Sequence, residues 1–156
     1  MTKYNILIQN PHHYSTVPNQ FLIRRWVEQT LKHEFGGAEV CIRIVDEQES
    51  AKLNHTFRNQ NKATNVLSFP SNLPNEIAKE IALDKPILGD IVVCAPLLEQ
   101  EARDQGKPSE AHWAHLLVHA LLHLLGYDHI KDTEAQRMEQ LEIDILQQLG
   151  YSNPYD

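Results

Sequence analysis

The run His112 to Leu125, HWAHLLVHALLHLL, constrains this chain more than any other stretch. As a helix it would be apolar around nearly its whole circumference, so it has to be buried among other elements rather than laid on a surface. Residues four apart project from one helix face, so His119 and His123 reach toward a common point. Gly126 follows. Without a Cβ it can take the left-handed conformation that ends helices, and the chain can then turn back and bring His129 to the same point. Three neutral imidazoles with one open position suit a catalytic zinc better than a closed structural one, because a water can take the fourth place. A lone histidine on an apolar helix face is ordinarily a satisfied core residue. Three at four-then-six spacing, with a glycine between the last two, read instead as metal ligands. His112 and His115 precede them. His115 shares the face of His119 one turn earlier and is a candidate to touch substrate or to steady a ligand from behind, with packing or solvent exposure as the plain alternative.

Position 120 decides among the chemistries such a site can run. Zinc proteases with the pattern HxxxHxxGxxH carry a glutamate directly after the first histidine as general base, and here that position is Ala120. A peptidase would lack the group that takes the proton from the attacking water. The ion stays useful for another reaction: it lowers the pKa of water to about 7 and polarises an oxygen, and phosphodiester cleavage can use both with an arginine to hold the phosphate.

At 156 residues and 42% hydrophobic content the chain fits one domain, 1–156, with no linker dividing it. The start, MTKYNILIQNPHH, holds too short an apolar run for a signal peptide, and no stretch reaches the roughly eighteen apolar residues of a membrane span. A soluble cytoplasmic protein with no membrane partner is expected. Cys41 and Cys94 stand apart from each other and from the histidines, and both read as reduced core residues in strands. A net charge of −7 argues against a generic nucleic-acid binder, whose affinity comes from many phosphate contacts. Local clusters of basic residues could offset it. Arg24 and Arg25 in the first helix read as an ordinary solvated face, and Arg58 and Lys62 fall in the loop before a strand.

Along the chain, periodicity and capping signals place a strand at 4–9 and an amphipathic helix at 19–35 with Phe21, Leu22, Trp26, Val27 and Leu31 inward, stopped by Gly36 and Gly37. A strand at 40–45 precedes Asp46, which caps a helix to about Phe57 with Glu49 three positions on. Short strands follow at 65–69 and 87–94, separated by the polar, proline-punctuated excursion SNLPNEIAKEIALDKP. Pro96 opens a helix to about Gln105, Pro108 opens the histidine helix, and 135–149 forms a last amphipathic helix. The fold class expected is α+β (α/β-like): one mixed β-sheet covered by helices, with the metal site on a helix-turn beside the sheet and bordered by the 65–69 strand.

Three segments carry a family resemblance. HLLVHALLHLLGYDH (115–129), LNHTFRNQNKATNVLSFP (53–70) and LGDIVV (88–93) look like the signature blocks of the YbeY family, bacterial single-strand endoribonucleases and ribosomal RNA maturation factors. The blocks keep the family's order, so the resemblance covers essentially the whole domain. It implies that His119, His123 and His129 are zinc ligands and that Arg58 is needed for activity. It also implies a role in trimming small-subunit RNA ends (16S rRNA 3′ end processing) and in removing defective particles, with ribosomal RNA and the small ribosomal subunit as partners. Ala120 departs from the usual glycine, and Asn65 stands where many members have aspartate, so Asn65 receives no catalytic role.

The residues themselves agree with that chemistry. Arg58 is permanently charged, and its planar fork can hold two phosphate oxygens and steady developing charge. Its plain alternative is a loop arginine paired with Glu47 or Glu49. Asp128 either orients an imidazole or stabilises a turn, and Asp90 reads as a turn residue before a strand. The general base is unassigned: hydroxide could attack the phosphorus, or the RNA's own 2′-hydroxyl could do so with metal assistance. The catalytic set is therefore Arg58, His119 and His123, with Arg58 and His115 as substrate contacts. Two alternatives stay open, a zinc metallopeptidase-like hydrolase and a non-catalytic ribosome assembly factor with a structural metal, and ions such as nickel can compete for the same ligands.

Overall fold

Apolar residues recur at alternate positions in β1 (Tyr4–Gln9) and β2 (Ala38–Val45) and almost continuously in β4 (Ile87–Cys94), as expected for an edge, an inner and a central strand. The computed structural model describes residues 4–34, 36–71, 87–127 and 130–156. With β3 (Val66–Pro70) these strands form one sheet in the order β1-β2-β4-β3, parallel at β1–β2 and β2–β4 and antiparallel at β3–β4. The helices are α1 (Gln20–Leu31), α2 (Glu47–Arg58), α3 (Ala95–Gln105), α4 (Ser109–Leu124) and α5 (Asp132–Gln148). The expected mixed sheet with helices around it is what the chain forms.

The histidine helix α4 is the centre of the packing. It touches α1, α3, α5, β3 and β4, and its Trp113, Ala114, Leu117, Val118, Ala120 and Leu121 are fully buried with Ile42, Ile44 and Ile91 of the sheet in one cluster. A second, smaller cluster on the other face joins Val45, Leu67, Val92 and Cys94 to Leu53 of α2 and Leu97 of α3. In α1 the inward stripe is Ile23, Trp26, Val27, Thr30 and Leu31. Phe21, expected inward, is exposed: it lies two residues from Ile23 and so on the opposite side of the helix. The helix stops at Leu31, the last residue of that stripe, earlier than the Gly36-Gly37 pair suggests.

Gly89 explains the LGDIVV block physically. Its φ is +140°, and a Cβ there would stand 2.1 Å from the Phe69 carbonyl oxygen and 2.9 Å from the Ser71 nitrogen. Only glycine lets β3 and β4 close at this point. Asp90 is correspondingly not a turn residue; it lies inside β4, paired in register with Phe69 and Cys41. Burial pushes the thiols of Cys41 and Cys94 up from their ordinary range, which suits unreactive residues, although Cys41 is only half-buried and not a core residue.

Candidate active site

The end of α4 sets up two imidazoles. Gly126 takes φ +100°, and the turn closes with the Gly126 N–H on the His123 carbonyl (3.0 Å) and the Tyr127 N–H on the Leu122 carbonyl (3.0 Å). This turn carries the Tyr127 carbonyl back onto His123, whose Nδ1 lies 3.0 Å from it. A carbonyl only accepts, so Nδ1 of His123 holds a proton, and in the neutral ring Nε2 then holds a lone pair. His119 is arranged likewise, its Nδ1 donating to Glu142 Oε1. The two Nε2 atoms then face each other at 3.0 Å. With both Nδ1 atoms as donors and both rings neutral, that contact sets lone pair against lone pair, an arrangement that a shared cation, a proton or a metal ion, relieves. Two nitrogens on one tetrahedral zinc are separated by about 3.3 Å. The donor chemistry of the pair therefore fits a metal.

Glu142 is the residue that sequence reasoning passed over. It is fully buried in α5, on the stripe Met138, Glu142, Leu146 that packs inward, and a charged residue at the middle of a four-residue apolar spacing was the signal available. Burial by itself would raise its pKa, but hydrogen bonds from His115, His119 and Tyr155 outweigh it and hold the carboxyl at about 2. It is thus an anion that fixes the tautomer and aim of His119. His115 gives its Nε2 to Glu142 Oε2 at 3.2 Å, leaving a buried Nδ1 with no partner among the described residues. Of the roles open to it, support of the carboxylate behind His119 is the one its geometry matches, although its ring also lines the cleft.

Arg58 stands on the opposite wall. It is the last residue of α2 rather than a loop residue, because Asn59 closes the helix in the left-handed conformation (φ 58°). The loop that follows is pinned from inside the helix: Asn54 Nδ2 donates to the Lys62 carbonyl (2.8 Å), and Ser50 Oγ donates to the Thr64 carbonyl (2.8 Å) while accepting from the Thr64 N–H (2.9 Å). Arg58 itself donates to the carbonyls of Phe57 (3.1 Å) and Ser68 (2.7 Å) and lies 4.9 Å over the Phe69 ring. Glu49, one expected acidic partner, is taken by Arg43 at 2.6 Å. The guanidinium is exposed and keeps donors for an anion.

Between these walls runs a cleft of about 610 Å³ lined by Arg58, Ser68, His115, His119, His123 and Tyr155 among others. The edge strand β3 borders it, as expected, and Ser68 Oγ ties β3 to α4 through the Ala120 carbonyl (3.3 Å). Among the described residues lining the cleft, Arg58 is the one formal cation. Arg24 and Arg25 are elsewhere, Arg24 donating to the Tyr4 carbonyl (2.9 Å). Asn65 lines the cleft and donates to Glu101, which also meets the buried His112 at 3.1 Å.

His129, Asp128 and the 72–86 stretch of the excursion lie outside the described residues. Among the described residues no three His, Cys, Asp or Glu side chains form a metal-holding group, so the described part of the site is the His119–His123 pair.

The chain has clear relatives. A family model described as Endoribonuclease YbeY matches residues 7–150. A Pseudomonas entomophila protein named Endoribonuclease YbeY is 51% identical over 141 residues, covering 90% of this chain and 87% of that one. One of the same name from Stutzerimonas stutzeri is 52% identical over 133 residues, covering 85% and 80%. Among solved structures, the solution structure of TM1509 from Thermotoga maritima superposes with TM-score 0.57 at 24% identity, covering 98% of this chain and 99% of that one, and so shares the fold.

Proposed function

This chain belongs to the YbeY endoribonuclease family, and from that premise we propose that it is a zinc-dependent endoribonuclease that cuts single-stranded RNA in the cytoplasm. In this reading it matures the 3′ end of small-subunit ribosomal RNA and takes part in removing defective ribosomes. One observation carries the reading: an exposed arginine fork and a pair of metal-competent imidazoles line the two walls of one cleft.

His119 and His123 would hold the ion with His129, and the ion when bound supplies Lewis acidity toward phosphate oxygen and water. Everything else falls to the chain. Arg58 binds the phosphate by two parallel N–H donors and stabilises charge that grows on its oxygens. Glu142 keeps the Nδ1 proton of His119 in place, and the Tyr127 carbonyl does so for His123, so both rings offer Nε2 to the cleft. A single strand, whose bases and phosphates are not locked in a helix, can lay a phosphate across this cleft between Arg58 and the histidine pair. A single formal cation among the described residues of the lining predicts modest affinity for RNA alone and dependence on the ribosomal context for selectivity.

The alternative of a purely structural metal needs a protein group to close the site, and His115, the described candidate, commits its Nε2 to Glu142. Ala120 argues against peptidase chemistry, as it supplies no base. The test is incubation of zinc-loaded protein with single-stranded RNA, double-stranded RNA and a peptide pool. Cleavage restricted to single-stranded RNA supports the reading, and intact RNA beside cleaved peptides overturns it. Mapping the product ends then separates attack by water from attack by the 2′-hydroxyl.

A further inference from the structure

Residues 151–156 lie past the part of the chain that the family model matches, yet they reach the candidate active site. The segment is tied at three points: the Trp26 indole donates to the Tyr151 hydroxyl (3.2 Å), that hydroxyl donates to Glu110 (2.6 Å), and Lys107 Nζ donates to the Pro154 carbonyl (2.8 Å). Held in this way, Tyr155 sets its ring edge-on to His115 with centroids 5.4 Å apart and donates its hydroxyl to Glu142 Oε2. It lines the main cleft and also the smaller cavity behind His119 that Met138, Glu139 and Glu142 share.

We propose that Tyr155 is a positioning residue of the metal site: with His115 it occupies Oε2 of Glu142, which leaves Oε1 committed to His119 and so fixes the ring that offers its Nε2 to the ion. The argument is one of satisfaction. A carboxylate with no solvent access needs donors on both oxygens, and any it loses must be replaced by turning toward those that remain. Without the hydroxyl, Oε2 keeps, among the described residues, the His115 contact at 3.2 Å alone, and the carboxylate can rotate away from His119. The tail would then be part of the active site, acting two hydrogen bonds away from the metal.

This inference rests on the metal-dependent reading above, and cobalt(II) binding separates the two. Metal-free full-length protein is titrated with cobalt(II), and the affinity and visible spectrum are recorded for wild type, Glu142→Gln, Tyr155→Phe and a chain ending at Pro154. Wild type should give the absorption bands of a low-coordinate cobalt site, and Glu142→Gln should bind about 10–100-fold more weakly. Tyr155→Phe and the shortened chain, checked as folded by circular dichroism, should each bind roughly three- to tenfold more weakly, a fraction of that direct effect, with shifted bands. Wild-type affinity and spectrum in either folded Tyr155 variant overturn the role of Tyr155 and leave the site reading standing. Absence of cobalt binding in wild type takes both readings down.

Discussion

His119 and His112 stand seven residues apart on α4, and each meets a carboxylate from a neighbouring helix. His119 gives its Nδ1 to Glu142 of α5, and its Nε2 faces that of His123 in the cleft. His112 does the reverse: its Nε2 meets Glu101 of α3 at 3.1 Å, and its Nδ1 is buried with no partner among the described residues. The side chain of His112 is 5% exposed against 27% for His119, so solvent and ligands reach only the second. A histidine–carboxylate pair is thus not itself a site. What distinguishes the two is which ring nitrogen the carboxylate claims and whether the other one opens on a cleft.

The largest test of this contrast is His119→Ala, expected to abolish tight zinc binding and to lower cleavage of single-stranded RNA by about 10³-fold or more, measured as metal per chain and initial rate. Arg58→Ala should lower the rate by roughly 10²–10³-fold, as loss of a charge-stabilising donor does, while zinc content stays at the wild-type level. Glu142→Gln should weaken zinc by about 10–100-fold in competition with a chelator, whereas Glu101→Gln should leave zinc affinity within about twofold of wild type. An equal effect of the two glutamine variants would erase the distinction drawn between the pairs. The smallest effect belongs to Gly126→Ala. Among the described residues nothing lies within 4 Å of a Cβ at this position, so the expected cost is that of the strained φ, about 1–2 kcal/mol in chemical denaturation.

Much of this was legible in the sequence because it is local. The strands 4–9 and 87–94, the Asp46 cap on the Glu49 N–H (2.8 Å) and the left-handed Gly126 all follow from short-range periodicity and capping chemistry. The His119–His123 spacing is local as well, and α4 presents the two rings together as that spacing requires. What escaped is set by tertiary contact. Glu142 is brought to His119 from 23 residues away, and only its place between Met138 and Leu146 hinted at burial. The need for glycine at 89 depends on where the Phe69 carbonyl falls once β3 pairs with β4. Helical periodicity places Phe21 inward with Leu22, Trp26, Val27 and Leu31, but the buried stripe begins at Ile23 and leaves Phe21 on the exposed side. The approach of Tyr155 to Glu142 depends on the tail being anchored by Tyr151 and Pro154, contacts that no pattern along the chain announces.

The most direct test of the whole account is the rate of single-stranded RNA cleavage by protein stripped of metal and then titrated with zinc. The account predicts no cleavage in the stripped protein and a rate that rises linearly to a plateau at one zinc per chain. Undiminished cleavage by the stripped protein, with its metal content verified as negligible, would contradict it.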